Sequence, residues 1–81
     1  MLFFDVESDG LLDTATKIHC LVIINNQGQV SRYRGESVEE GIRMMLSSGE
    51  VVCGHNVIDF DLPLIEKLFG IKFPINRVLD T

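Results

Sequence analysis

Two apolar runs near the start of the chain constrain its fold more than any other feature. Residues 1–6 are almost all apolar, and turn-forming residues follow at 8–10, which favours a fully buried central strand over a helix. A second run at 18–25 is rich in Ile, Leu and Val, and the sequence Asn-Asn-Gln-Gly separates it from alternating polar and apolar residues at 29–33. The chain therefore begins with a strand followed by an antiparallel hairpin.

Helix signals follow the hairpin. Ser37 is a candidate N-cap with Glu40 as its capping-box partner, apolar residues then recur at helical spacing, and Gly49 ends the pattern. After a short apolar run at 50–54, a second helical pattern has Pro63 in its first turn and Gly70 where a C-terminal glycine is expected.

The order of these segments predicts an α/β fold. A fifth strand at 78–80 completes the order β-β-β-α-β-α-β, which implies a mixed sheet flanked by helices. A chain of 81 residues closes one hydrophobic core, so residues 1–81 form a single domain. Because no polar or flexible tail follows the last strand, we expect the domain to be partial, cut before further C-terminal helices.

Charge and cysteine content exclude several classes of protein. Twelve acidic residues against seven basic ones give a net charge of −5, which argues against a basic nucleic-acid clamp. No apolar run reaches the roughly 18 to 20 residues of a membrane span, and no signal peptide is evident. We therefore expect a cytoplasmic protein with no membrane contact. Cys20 and Cys53 lie in apolar runs, which favours buried free thiols over a disulfide.

Carboxylates concentrate at two points of the predicted fold. Asp5 and Glu7 alternate along the first strand and should project together from its C-terminal end, either as a solvated acidic loop or as a site for a hard cation such as Mg²⁺ or Mn²⁺. Asp59 and Asp61 open the second helix, where one of them is expected to be its N-cap. Asp61 follows a core-facing residue, so its carboxylate should point toward the end of the first strand. Three carboxylates from two elements would then converge.

Two sequence motifs resemble a known family. Residues 4–11, Phe-Asp-Val-Glu-Ser-Asp-Gly-Leu, are similar to the first motif, D-x-E-[ST]-x-G-L, of the DEDD superfamily of 3′-to-5′ exonucleases. Residues 54–61, Gly-His-Asn-Val-Ile-Asp-Phe-Asp, are similar to the second motif, N-x(2,3)-[FY]-D. The superfamily includes proofreading domains of DNA polymerases, and the resemblance is closest to those of phage-type family A polymerases. It implies a ribonuclease H-like fold.

The resemblance also implies roles for individual residues. Asp5, Glu7 and Asp61 would be catalytic and would bind two Mg²⁺ or Mn²⁺ ions that drive hydrolysis of the 3′-terminal nucleotide of single-stranded DNA. Four residues would contact the substrate, namely Ser8, Gly10, Leu11 and Asn56. Leu11 would wedge against the terminal base or return to the core as part of a plain turn, and Asn56 would contact substrate or cap the following helix.

One part of the family pattern is absent from the 81 residues. The third motif, a Tyr or His followed a few residues later by a fourth metal-binding Asp, has no counterpart here, and Tyr33 lies in the third strand. We therefore expect little or no activity from this chain alone, with a polymerase domain or second chain supplying the missing motif. Exposed apolar surface would favour self-association. The alternative is a non-catalytic module that binds nucleic acid or protein. The resemblance implies that an exonuclease domain or a binding module of this kind acts in the cytoplasm of a bacterium or of a phage-infected host.

Overall fold

The computed structural model describes all 81 residues. The strands are β1 (Leu2–Ser8), β2 (Ile18–Ile24), β3 (Val30–Arg34), β4 (Val52–Gly54) and β5 (Val78–Asp80). The α-helices are α1 (Ser37–Ser47) and α2 (Leu62–Phe69), with a π-helical turn at Val57–Asp61 and a 3₁₀ turn at Ile75–Arg77. The predicted order of strands and α-helices is confirmed, and the π-helical turn is an addition to it.

The five strands form one mixed sheet in the order β3-β2-β1-β4-β5. β1 and β2 are antiparallel, as are β2 and β3, whereas β4 is parallel to both β1 and β5. The hairpin therefore comes first and the helical crossovers link the parallel strands, as the sequence predicts. This order brings the C-terminal ends of β1, β4 and β5 to the same edge of the sheet.

The core lies on one face of this sheet. Leu2, Phe4 and Val6 alternate along β1 on that face and belong to one buried cluster with apolar residues of both helices. The residues between them, including Phe3 and Asp5, are exposed on the opposite face. The prediction that β1 is buried on both faces is therefore wrong, because the two α-helices contribute to a single core.

The helix ends agree only in part with the sequence signals. Pro63 lies in the first turn of α2 and Gly70 ends that helix in the left-handed region at φ 69°, both as predicted. The N-cap prediction for α1 is wrong: Ser37 is its first residue, and the Ser37 hydroxyl donates to the carbonyl of Arg34 instead. That hydroxyl closes the turn after β3, so Glu40 has no capping-box partner.

Both cysteines are free thiols, as predicted, although Cys20 is only half-buried while Cys53 is buried. No helix in the structure combines the length and the apolar character needed to span a membrane.

Candidate functional site

A π-helical turn positions the second group of carboxylates. Asn56 precedes it in the left-handed region at φ 57°, and the backbone N–H of Leu62 donates to the carbonyl of Val57 at its end. The turn closes five residues back rather than four, which is a local widening that recurs at functional sites. Asp61 is the last residue of this turn and lies directly before α2.

Gly54 allows the chain to enter this turn close to β1. A Cβ atom at Gly54 would lie 2.8 Å from the carbonyl oxygen of Phe4 and in still closer contact with the side chain of Val57. The backbone of β4 can therefore pack against β1 only because position 54 carries no side chain. This contact sets the distance between the end of β1 and the π-helical turn.

Asp61 is the one buried charged residue of the chain. Its side chain is 4% exposed, and its Oδ2 atom has no hydrogen-bond partner. Burial, together with the negative charges of Asp5 and Asp80, raises the pKa of Asp61 to about 7, while the backbone amide of Val6 acts in the opposite direction. The Asp61 carboxyl therefore lies within electrostatic reach of Asp5, as the sequence predicts.

Asp5 and Glu7 project from the same exposed face of β1. Neither takes part in an ion pair, since the ion pairs of the structure are Met1–Glu50 and Arg43–Glu39. Glu7 lies two residues along the strand from Asp5, a separation of roughly 7 Å. No three His, Cys, Asp or Glu side chains are grouped closely enough to hold a metal ion by themselves. Asp5 therefore interacts electrostatically with Asp61, and Glu7 lies at the margin of the candidate site.

Asp80 has a role that the sequence did not reveal. Its carboxylate accepts hydrogen bonds from the backbone N–H groups of Asn56 (2.8 Å) and Ile58 (3.0 Å). It therefore caps the π-helical turn from the end of β5. Of the two predicted N-cap candidates, Asp61 occupies the N-cap position of α2, although its side chain makes no capping hydrogen bond, and Asp59 is an exposed residue inside the π-helical turn. A carboxylate at the end of a strand parallel to β4 is the signal that could have indicated this contact.

The loop after β1 is fixed at two places. The Asp9 carboxylate accepts hydrogen bonds from the side chain and backbone of Thr16 and from the backbone of Lys17, which hold the pKa of Asp9 well below its usual range. Lys67 of α2 donates to the carbonyls of Leu12 (2.9 Å) and Ala15 (3.1 Å). The loop is thus tied both to the start of β2 and to the helix that follows Asp61.

The predicted substrate residues differ in how available they are. Leu11 is 73% exposed on the fixed loop, which excludes its return to the core. The Ser8 hydroxyl donates to the carbonyl of Gly10, where an added Cβ would lie 2.9 Å from the Thr14 hydroxyl. The Asn56 side chain makes no capping hydrogen bond, so the capping alternative for Asn56 is wrong. Leu11 and Asn56 are therefore the two side chains free to meet a ligand.

The donor set fits a hard divalent cation. The buried Asp61 Oδ2 has no partner inside the protein, and the nearby Asp5 supplies a second carboxylate. Mg²⁺ is usually held by one or two carboxylates together with water and substrate oxygens. A cation here would also relieve the repulsion between the two carboxylates that raises the pKa of Asp61.

Comparisons with known proteins relate this chain to part of a DNA polymerase. It is 32% identical over 81 residues to the DNA-directed DNA polymerase of Enterobacteria phage T3, in an alignment that covers 95% of this chain and 11% of that protein. Its structure resembles the family B DNA polymerase of the hyperthermophilic archaeon Pyrobaculum calidifontis, with a TM-score of 0.66, 20% identity, and coverage of 86% of this chain and 11% of that one. No protein-family model matches the chain.

These matches support two statements. The chain is related in sequence to a segment of a DNA polymerase, and it spans about a tenth of the length of that relative. The structural similarity, at 20% identity, bears on the fold alone and agrees with the predicted ribonuclease H-like mixed sheet.

Proposed function

We propose that the chain forms the metal-binding part of a 3′-to-5′ exonuclease domain of the proofreading type, acting on the 3′ end of single-stranded DNA. The observation that carries the proposal is the buried Asp61, whose Oδ2 lacks a partner and whose pKa is raised in part by Asp5. Both residues belong to the motifs that resemble the DEDD exonucleases. The relationship to a DNA polymerase segment supports the same assignment, and such a domain would act in the cytoplasm of a bacterium or an infected host.

Asp5 and Asp61 would hold Mg²⁺ or Mn²⁺, with Glu7 as a further ligand at the exposed margin. A pair of such ions, when bound, supplies an activated water and stabilises the charge on the phosphate and on the departing 3′ oxygen. The protein contributes a fixed geometry: Asp61 is held at the junction of the π-helical turn and α2, and Asp5 on the central strand. Asp61 must lose its proton to act as a ligand, so cation binding at neutral pH releases a proton.

Leu11 would contact the terminal base of the strand. Its apolar side chain is exposed on a loop that Asp9 and Lys67 hold in place, and an apolar side chain can pack against the face of any base. Ser8 and Gly10 would shape this loop and offer backbone groups to the substrate, and Asn56 would donate to it from the residue before the π-helical turn. These contacts would orient the 3′ end over the carboxylates.

The 81 residues lack the third motif that the resemblance implies. The single tyrosine, Tyr33, packs its ring against Gly41 on the core side of β3, where it cannot orient a water at the site. We therefore expect slow hydrolysis or none from this chain alone. A polymerase domain or a second chain would supply the missing Asp and the Tyr or His.

One observation favours a second function, a binding module that performs no chemistry. No three carboxylate, His or Cys side chains are grouped closely enough to hold a metal ion by themselves. A chain with this site could bind a nucleic-acid end or another protein without hydrolysing anything.

Binding and hydrolysis of a single-stranded DNA oligonucleotide with a free 3′ hydroxyl distinguish the two functions. The exonuclease proposal predicts Mn²⁺-dependent binding that Asp5→Asn and Asp61→Asn weaken, accompanied by slow hydrolysis at most. Asp59→Asn is the matched control, because Asp59 is an exposed carboxylate of the same turn. Binding that needs neither Mn²⁺ nor these two carboxylates would contradict the proposal and support the binding module. Robust cleavage abolished by Asp5→Ala would contradict the statement that the site is incomplete.

A further inference from the structure

The sheet face opposite the core carries an apolar row that crosses all five strands. Cross-strand pairing places its members in one register: Val30, Ile24, Phe3, Cys53 and Leu79. The four large side chains of this row are between 37% and 48% exposed. Large apolar side chains gathered in one row mark an interaction surface more often than isolated ones do.

Two rows of charge lie beside this apolar row. Asp5 on β1 is in register with Val22 on β2 and Arg32 on β3. In the next row on the same face, Glu7 is in register with Cys20 and Arg34. The acidic residues on β1 and the basic residues on β3 are about 10 Å apart across β2. The four charged side chains take no part in the ion pairs of the chain, which are Met1–Glu50 and Arg43–Glu39.

We propose that this face binds a second copy of the chain in a two-fold symmetric dimer whose axis runs along β2. A rotation about that axis exchanges the positions of β1 and β3 and keeps each row in register. Arg32 then faces Asp5 of the second copy, and Arg34 faces Glu7 of the second copy, with both pairs repeated by symmetry. The charge pattern of the face is therefore complementary to itself, as a two-fold interface requires.

The same rotation brings the apolar rows of the two copies into contact. Val30 comes to lie over Phe3 of the second copy, and Ile24 over its own equivalent. Three strands of each copy overlap, an area smaller than the roughly 800 Å² per partner of stable complexes, so the dimer is weak and forms at micromolar concentrations or above. Its contact covers Asp5 and Glu7, so a chain in the dimer cannot bind the cation of the proposed function at the same time. The dimer follows from the pairing of the strands and does not depend on that function.

Charge reversal tests the dimer in solution. Sedimentation velocity of the whole chain from micromolar to millimolar concentration should show a monomer–dimer equilibrium. The double variants Arg32→Glu with Arg34→Glu, and Asp5→Arg with Glu7→Arg, should each raise the dimer dissociation constant at least about tenfold. An equimolar mixture of the two variants should restore dimers, because every facing pair is then of opposite charge. Circular dichroism checks that both variants fold.

A matched control changes the same net charge elsewhere. Arg43→Glu with Lys72→Glu alters two exposed residues outside the sheet and should leave the dissociation constant unchanged. The axis along β2 also brings the two Cys20 thiols to face each other across sheets packed about 10 Å apart. A bis-maleimide of that length should link them, and Cys20→Ser should abolish the link.

Several results would overturn the proposal. A monomer at every concentration or an assembly larger than a dimer would contradict the proposal. So would a dimer that survives either charge reversal, or a mixture of the two variants that stays monomeric. A dimer that the bis-maleimide does not link through Cys20 would contradict the position of the axis.

Discussion

Replacing Asp61 with Asn removes a charge from the most unfavourable position in the structure. The carboxyl is 4% exposed, its Oδ2 has no hydrogen-bond partner, and the charges of Asp5 and Asp80 act on it. An amide of the same shape carries no charge to bury and is not repelled by these neighbours. We therefore expect Asp61→Asn to stabilise the metal-free protein above neutral pH.

The raised pKa of Asp61 gives the size and sign of this effect. The pKa rises from 3.8 to about 7 on folding, so the folded state binds more protons between these values and its stability falls as the pH increases through that range. Above the folded pKa the full cost is about 4 kcal/mol. Asn brings amide hydrogen-bonding groups that need partners, at a cost of about 1–3 kcal/mol. The net stabilisation expected at mildly alkaline pH is about 1–3 kcal/mol.

Urea unfolding at a series of pH values measures this difference. The native chain should lose stability relative to Asp61→Asn as the pH rises through the interval between the two pKa values, and the gain from the substitution should vanish in mild acid. Asp59→Asn controls for the loss of an exposed carboxylate in the same turn. Parallel stability curves for the native chain and Asp61→Asn would refute the reasoning, because they would show that Asp61 is not ionised at a cost in the folded state.

Three further substitutions test individual contacts of the site. Gly54→Ala should destabilise the fold by about 1–3 kcal/mol in urea unfolding, because the added methyl group meets the Phe4 carbonyl at 2.8 Å; a neutral effect would show that β4 has room to move. Asp80→Asn removes one of the charges that raise the pKa of Asp61 and weakens the cap on the π-helical turn, so carboxyl titration by NMR should give a lower Asp61 pKa; an unchanged value would count against the coupling. Lys67→Met leaves two loop carbonyls without their donor, so hydrogen exchange at the Ala15 amide should accelerate while α2 stays protected, and equal acceleration in both would indicate global destabilisation instead.

Local signals account for the parts of the fold that the sequence predicts correctly. The apolar runs and the Asn-rich turn identify β1, β2 and β3. Pro63 and Gly70 mark the start and end of α2, because each determines which backbone conformation is allowed at its own position. The paired carboxylates of β1 follow from strand alternation. Asp61 could be placed because it directly follows Phe60, which packs against the core.

The features that could not be predicted depend on contacts between distant residues. Asp80 caps the π-helical turn from a position 24 residues after Asn56, so no capping pattern is visible in the sequence around the turn. Ser37 matches a capping box, yet the preceding β-turn uses its hydroxyl. The exposed face of β1 was missed because an apolar run does not show which of its two faces the helices cover.

Calorimetric titration of Mn²⁺ into the metal-free chain tests the central claim most directly, that Asp5 and Asp61 form a cation site. The account predicts binding with proton release near neutral pH, since Asp61 must ionise, and a loss of binding in Asp5→Asn and in Asp61→Asn but not in Asp59→Asn. Proton release follows from the heats measured in buffers of different ionisation enthalpy. Absence of Mn²⁺ binding, or binding that survives both substitutions, would contradict the account.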